Sequence, residues 1–494
     1  MSFELETAAH PENLRRVAIE PVSRVEGHGK VTLLLDENNK VHQVRLHIVE
    51  FRGFERFIQG RPYWEVPVMV QRLCGICPVS HHLAASKALD MVLGAKLTPT
   101  AEKLRRLMHY GQILQSHALH FFHLASPDLL FGFGSDVAKR NVVGVIGAAP
   151  EVAKKGVLLR KYGQEIIRLT AGKRVHGTGS VPGGVNKALS VAERDLLLKD
   201  AYQMVAWSRE AVAIIKGLFA KNLESYNAFG RFDANSLCLV RADGAMDLYH
   251  GGLRARGSDG KTLFDHFDYG RYWEVITEDV KPWSYMKFPH LKSLGAEHGW
   301  YRVGPLARVA NCDFIPTPLA DHERKEFLAY DGGRPAGATL GYHWARMIEM
   351  LHAAENIKDL LHDDDITGTD LMAKGERQER GVGVIEAPRG TLIHHYKVNE
   401  DDLVVRANLI VSTTHNNQAM NEAIRKVAVQ YLDGQEITEG LLNHIEVAIR
   451  CFDPCLSCAT HALGQMPLEV TLEDAGGRVL DRKYKDSRGV CAIE

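Results

Sequence analysis

Two Cys-x-x-Cys pairs are the residues of this chain best suited to hold a metal: Cys74/Cys77 in Arg72-Leu-Cys-Gly-Ile-Cys-Pro78, and Cys455/Cys458 in Asp453-Pro-Cys-Leu-Ser-Cys458. Two close pairs of thiolates can enclose one soft centre such as zinc, iron–sulfur, nickel or copper(I), and they disfavour magnesium or calcium as the direct occupant. The pairs lie near opposite ends of the chain, so a shared centre would clamp those ends together. Pro78 follows Cys77 and Asp453 precedes Pro454. Proline suits the first position of a helix and Asp is a strong N-cap, so both pairs are expected at helix N-termini, where the dipole and free N–H groups favour thiolate over thiol. His81 and His461, four and three residues beyond Cys77 and Cys458, would return to the faces their cysteines occupy. Spacing alone leaves three occupants open: a structural zinc ion, a redox-active or iron–sulfur site, or another thiolate-bound metal. A thioredoxin-like motif would need a single pair after a strand in a βαβ unit, and no such unit is legible.

The chain that must carry these residues has 494 positions, enough for several domains or one unusually large one. Lys and Arg total 60 against 61 Asp and Glu, so no global field would draw in nucleic acid or an anionic membrane. No apolar run approaches the roughly 18 residues a membrane span requires. The acidic opening Met1-Ser-Phe-Glu lacks an apolar core for a signal peptide, and Arg15-Arg16 lacks the context of a twin-arginine signal. A cytoplasmic location is therefore expected, with the 8 cysteines used for metal or catalysis in place of disulfides. The 24 histidines suit a protein that handles protons or metals.

Hydrophobic periodicity predicts the frame. Residues 30–36 and 41–48 read as strands joined by a turn at Glu37-Asn-Asn-Lys40. Helix is predicted over 78–94 and 98–124, the second with Leu104, Leu107, Ile113, Leu114 and Phe121 in period. Ser190-Val-Ala-Glu193 is a capping box opening a long helix that could reach Tyr226. His176-Gly-Thr-Gly-Ser-Val-Pro-Gly-Gly184 lacks the Gly-x-Gly-x-x-Gly spacing and reads as a surface or cleft loop, not a nucleotide cradle. Residues 230–335 are irregular with short strands, and helices resume over 338–361, 416–431 and 439–452. The fold class is mainly α with peripheral β segments, without linker or repeat.

The words around the cysteines narrow the choice. Arg24-Val-Glu-Gly-His28, Arg72-x-Cys-Gly-x-Cys-x-x-x-His81, Ala387-Pro-Arg-Gly390 and Asp453-Pro-Cys-x-x-Cys-x-x-His461 occur in this order. Together they resemble the large, catalytic subunit of nickel–iron hydrogenases, over about residues 19–461. Gln115-Ser-His-Ala-Leu-His120, Ser412-Thr-Thr-His415 and Cys458-Ala-Thr-His-Ala462 look closest to the cytoplasmic, NAD-reducing, bidirectional subgroup. The resemblance implies that family's fold, a central helical bundle, with residues 1–461 as one catalytic domain. It implies Cys74 and Cys455 as terminal nickel ligands, and Cys77 and Cys458 as bridges to an iron carrying CO and CN⁻. The chemistry would be reversible heterolytic cleavage of H2, with Cys455 or Arg389 as the base and Glu26 relaying the proton away. Arg389 would also direct its guanidinium at the cyanides.

Around this centre, His81 would donate to a bridging sulfur. Glu55, the backbone near Leu409 and His461 would hold a magnesium ion. Thr413 aligns with a hydroxyl that bonds a cyanide. Ser116 stands where many relatives carry an aspartate, and Pro388 and Asp453 would complete the surroundings. Cys238, Cys312, Cys451 and Cys491 match no motif and are expected to be buried structural thiols. Residues 462–494, which read as a β-hairpin, match an extension that an endopeptidase removes after nickel insertion, just beyond His461 or Ala462.

No spare set of four cysteines exists for a cluster, so an iron–sulfur small subunit is implied as partner. Flavin/NAD (diaphorase) subunits are implied beyond it, with nickel-insertion chaperones during assembly. Iron–sulfur clusters and flavin would reside only in partner subunits. Two other readings compete: the quinone-chamber subunit of a complex I relative, and a helical protein with a structural four-cysteine zinc site. The four motif cysteines and Arg389 argue against the first; Pro-Arg-Gly and the removable tail argue against the second.

Overall fold

The computed structural model describes residues 5–330, 337–460, 468–473, 478–485 and 491–493. Near the N-terminus, β1 (Arg15–Ile19), β2 (Gly29–Leu35) and β3 (Val41–Ile48) form an antiparallel sheet. The predicted turn at Glu37 to Lys40 joins β2 to β3, whose alternating side chains reach the core. The cysteine-bearing segment then leads into α1 (Pro78–Leu93), which Gly94 stops in the left-handed conformation at φ 62°. α2 (Pro99–Leu119) opens on Thr98, whose hydroxyl accepts the Ala101 N–H at 3.2 Å. Where the periodicity predicts continuation to residue 124, His120–Ala125 widens into a π-helical turn.

α3 (Pro150–Ala171) is absent from the sequence expectations, although Pro150 at its start and Gly172 at its end mark both boundaries. The predicted capping box of Ser190 and Glu193 opens α4 (Val191–Lys221), which stops at Asn222 before a short separate helix, Leu223–Ala228. α5 (Gly341–Leu361) is buried on nearly every side, with His343, Arg346, Glu349, His352 and Glu355 among its buried residues. It packs against α2 and α4, while α3 packs along α2; these four helices make the central bundle.

A second three-stranded antiparallel sheet, of β4 (Arg380–Ala387), β5 (Gly390–Val398) and β6 (Val404–Ile410), is almost wholly buried on α1. β4 pairs with β5 up to Ala387 and Gly390, so Pro388 and Arg389 are the two residues at a hairpin tip. α6 (Asn417–Tyr431) and α7 (Glu439–Cys451) close the domain, and α6 packs on both α7 and β3. The tail strands Leu468–Glu473, Val479–Lys485 and Cys491–Ile493 form a small antiparallel sheet of three, one more than the predicted hairpin.

The contact of α1 with β4 is close enough to require glycine. A Cβ on Gly383 would stand 2.2 Å from the Ala84 carbonyl oxygen and 2.5 Å from the Ala88 nitrogen, both helix backbone atoms. Gly383→Ala must push α1, and Cys77 at its N-cap, away from the hairpin that carries Arg389. It is expected to lower unfolding stability by about 1–3 kcal/mol in denaturant titration, with a parallel fall in bound nickel. Unchanged stability would contradict this packing.

Candidate metal centre

The four motif cysteines converge. Sulfurs of Cys74, Cys77, Cys455 and Cys458 lie within 4.8 Å of one another, and all four residues are buried. Cys77 is the N-cap of α1, as expected. Its neighbour Cys74 is extended, and its sulfur accepts the Ile76 and Cys77 N–H groups, each at 3.2 Å. Burial opposes ionisation of Cys74, but the hydrogen bond from the Cys77 thiol, the Arg389 charge and the Cys77 N–H outweigh it and hold the thiol below its ordinary range. Cys77 is pushed the other way, first by its bond to Cys74 and then by burial.

The C-terminal pair corrects an expectation. Cys455 and Cys458 do not begin a helix; they sit in an irregular loop after α7 has ended at Cys451. Asp453 does not cap, because it turns the chain at φ 51° and its carboxylate accepts from Arg389 at 3.0 Å. Backbone bonds from distant segments hold the loop in place of a helix. The Leu456 N–H reaches the Glu26 carbonyl at 2.9 Å, the Cys455 N–H reaches the Thr413 hydroxyl at 2.9 Å, and the Thr414 hydroxyl reaches the Ala459 carbonyl at 3.1 Å. Cys455 and Cys458 bring their sulfurs into contact, and the Cys455 sulfur lies 3.2 Å from that of Cys74.

Glu26 belongs to this loop. Its carboxylate accepts from the Cys455 sulfur at 2.9 Å and the Ser457 N–H at 3.2 Å, and also bonds the Ser457 hydroxyl. Arg24 does not pair with Glu26. It makes two hydrogen bonds to Asp128, at 2.6 and 2.9 Å, and Arg450 joins the same carboxylate at 2.9 Å. The adjacent Gly27, at φ 82°, explains the next letter of the motif: a Cβ there would lie 2.6 Å from the Ser457 nitrogen. Glycine lets the two segments touch, and that contact puts Glu26 on Cys455.

Arg389 reaches over the cysteines from its hairpin tip. Its Nε donates to the Asp453 carbonyl at 2.5 Å, and one Nη lies 3.4 Å from the Ser116 hydroxyl. Burial alone would lower its pKa, yet Asp453 and the Cys77 and Cys74 sulfurs more than offset this and hold it above the ordinary range. The tip is itself held by residues that no motif marked. Arg308 donates to the Ala387 carbonyl at 3.0 Å and the Pro388 carbonyl at 3.4 Å, fixing the hairpin from behind. The Arg308 guanidinium pairs with Glu349 at 2.5 Å and Glu386 at 2.8 Å, with all three side chains fully buried. His117 bonds Glu349 at 2.8 Å.

The remaining expected residues divide. His81 is buried and, with Cys77, Pro388, Arg389, Ser412, Thr413 and Cys455, lines a small cavity of about 10 Å³. The Glu55 carboxylate accepts the Leu409 N–H at 2.7 Å, bringing those two together. His461 and Ala462 lie outside the described residues, as does the side chain of Cys491. Cys238, Cys312 and Cys451 are buried, as expected of structural thiols. The segment from His176 touches the first cysteine, with His176 Nε2 3.1 Å from the Cys74 carbonyl, and its Ser180–Val181 pairs with Gly184–Val185. Arg308, Glu349, Glu386, His394 and Tyr396 are the functional neighbours that sequence reasoning misses. No local pattern marks the first three, which meet only in the folded chain.

A helical bundle closed over four buried thiols, with a carboxylate on one sulfur and a guanidinium above, defines a thiolate-held metalloenzyme subunit. The donor set is soft and desolvated, which fits nickel and iron. The nickel-dependent hydrogenase family profile matches residues 52–131 and 241–461, a HoxL-like profile matches 16–51, and the chain belongs to the nickel-dependent hydrogenase family. It is 50% identical over 487 residues to the NAD-reducing hydrogenase HoxS subunit beta of Cupriavidus necator, covering 95% of this chain and all of that one. It is 48% identical to one subunit of the vhu F420-non-reducing hydrogenase of Methanocaldococcus jannaschii, covering 84% of this chain and 98% of that one. A crystal structure of an NAD+-reducing NiFe-hydrogenase in the H2-reduced state superposes with TM-score 0.89 at 60% identity, covering 90% of this chain and 99% of that one. These likenesses support neither a complex I component nor a helical zinc protein.

Arg308 yields a direct test of how the hairpin is held. Arg308→Met leaves Glu349 and Glu386 buried without their cation, which costs about 3–5 kcal/mol. Chemical denaturation should register that loss, and a stability loss below about 1 kcal/mol would mean that the pair is not the anchor described.

Proposed function

We propose that this chain is the catalytic subunit of a cytoplasmic, NAD-linked hydrogenase that cleaves and forms H2 reversibly and heterolytically. The observation that carries this reading is the 2.9 Å contact between Cys455 and Glu26 inside the four-sulfur cradle. Cys74 and Cys455 would be terminal ligands of nickel, and Cys77 and Cys458 would bridge to an iron bearing CO and CN⁻. When bound, the metal pair supplies the Lewis acidity that polarises H2.

The protein's own groups handle the proton. The Cys455 sulfur accepts it, and the Glu26 carboxylate, already hydrogen-bonded to that sulfur, takes it onward toward Ser457. Arg389, neutralised by Asp453 and kept from water, holds a fixed positive charge over the cradle and donates to anionic ligands there. The Thr413 hydroxyl accepts from the Cys455 backbone, which leaves its own proton free for a cyanide. His81, with Ser116 and Pro388 nearby, completes the walls. Glu55, the Leu409 backbone and His461 would hold magnesium through hard oxygen and nitrogen donors, away from the thiolates.

Electrons leave through an iron–sulfur small subunit, then through flavin/NAD diaphorase subunits. Five large apolar side chains are exposed within residues 49–68, just ahead of Cys74: Val49, Phe51, Phe57, Trp64 and Val68. Such an exposed apolar run suits a protein interface. Residues 462–494 are the extension that a maturation endopeptidase removes after chaperones deliver nickel. Cleavage beyond His461 or Ala462 would then fix the C-terminal cysteine loop, which already meets Cys74 in the chain that carries the tail.

The infrared spectrum of the processed, metal-loaded enzyme tests the reading. CO and CN⁻ stretching bands together with one nickel per chain are expected; a single zinc and no such bands would refute it. Glu26→Gln should keep nickel and iron but slow H2 oxidation by about 10²–10⁴-fold, the usual share of a positioned acid–base group. Full activity in that variant would remove Glu26 from the proton path.

A further inference from the structure

Beside His81 stand two buried polar side chains, His394 and Tyr396, that the reaction as described does not use. His394 and Tyr396 are two residues apart on β5 and therefore share one face of that strand. That face meets α1, which carries His81. His81 Nδ1 lies 3.2 Å from His394 Nε2, and His394 Nδ1 lies 2.6 Å from the Tyr396 hydroxyl. All three residues are at most 1% exposed. Tyr396 sits among Phe54, Ile58, Val66 and Leu73, an apolar setting in which a hydroxyl must find its partner locally. The bond to His394 is the one its hydroxyl makes among the described residues.

Proton counting gives this row a direction. A neutral imidazole has one N–H and one bare nitrogen, and a phenol has one proton to give. In one direction the Tyr396 O–H donates to His394 Nδ1, His394 Nε2–H donates to His81 Nδ1, and His81 Nε2 carries the last proton. In the other direction His81 presents a bare Nε2 lone pair to its remaining side, where it shares a cavity wall with Cys77. A lone pair facing a metal-bound thiolate is repulsive, and an N–H facing it is a charge-assisted hydrogen bond. Burial and the Glu55 charge push the Tyr396 hydroxyl well above its ordinary range, so it keeps its proton as the first direction requires.

We propose that Tyr396 and His394 form a hydrogen-bond relay that sets His81 as its Nε2–H tautomer and so presents a donor to the bridging sulfur. The inference rests on the nickel–iron reading of the site and assigns His394 and Tyr396 as positioning residues. Successive hydrogen bonds polarise one another, so a donor at His81 Nδ1 strengthens the donation from Nε2. A sulfur that accepts a stronger hydrogen bond gives less electron density to its metals. The relay thus adjusts the electron richness of the iron from two residues away.

Infrared spectra of the metal-loaded holoenzyme read this directly, separately from turnover. In His394→Leu the relay is broken, the sulfur becomes more basic, and the CO and CN⁻ bands should move to lower wavenumber with nickel and iron content unchanged. Tyr396→Phe should move them in the same direction by less. His394→Gln, whose amide can donate to His81 Nδ1, should return them toward the unsubstituted positions. Unmoved bands in both His394→Leu and Tyr396→Phe would overturn the relay. So would loss of metal from both variants, since orienting His81 is not a requirement for loading. If the unsubstituted enzyme shows no such bands, the diatomic reading fails first and the relay's role falls with it.

Discussion

Four sulfur atoms from the two ends of the chain must meet within 4.8 Å in a place closed to water, and much of the rest of the fold serves that meeting. Thiolates crowded this closely repel one another, and burial raises the energy of each charge. Two of them arrive on a segment that leads directly into α1, where backbone N–H groups point at Cys74. The other two arrive on a loop with no regular structure of its own, tied to Glu26 by several hydrogen bonds and to Thr413 and Thr414 by one each. The N-terminal pair is therefore built into the frame, while the C-terminal pair is held by contacts that a late-closing segment can form last.

Cations manage the resulting charge from within. Arg389 and Asp453 pair at 3.0 Å beside the sulfurs, and Arg308 with Glu349 and Glu386 stands immediately behind the same hairpin tip. Buried ion pairs add little net stability, because desolvation consumes most of the attraction. Here they act on position: the Pro388–Arg389 tip has only two residues, and the carbonyls on both sides of its proline are bonded to Arg308. A guanidinium held from behind and neutralised in front keeps its direction when the local charge changes. Tyr396, His394 and His81 form a second buried polar row, in contact through His81 with the same cavity.

The metal cradle itself was largely legible in the sequence. Cys-x-x-Cys spacing marked the two pairs that the fold gathers, and the resemblance carried by the four motifs pointed to Glu26 and Arg389, which lie beside them. The placement of Cys455 and Cys458 was not legible, because Asp-Pro reads equally as a helix start and as a turn, and only the distant Arg389 decides what Asp453 does. α3 was missed despite its end signals, and the buried sheet of β4 to β6 because its strands mix glycines and polar residues such as Glu386, His394, Arg406 and Asn408 among the apolar ones, so no clean alternation marks a buried face. Arg308, Glu349 and Glu386 are ordinary charged letters in three separate segments; their meaning exists only once the chain brings them together. His394 and Tyr396 were hidden in a similar way, since period-two spacing on a strand is too common to mark a relay.

The central claim is that H2 is cleaved heterolytically in this cradle, one hydrogen leaving as a proton through Cys455 and Glu26 and the other being retained with both bonding electrons as hydride. Incubating the processed, metal-loaded enzyme with D2 in ordinary water and following the gas by mass spectrometry tests it most directly. Heterolytic cleavage predicts HD as the first product, with its formation suppressed in Glu26→Gln at full metal content. Fully loaded enzyme that releases neither HD nor H2 from D2 would contradict the account.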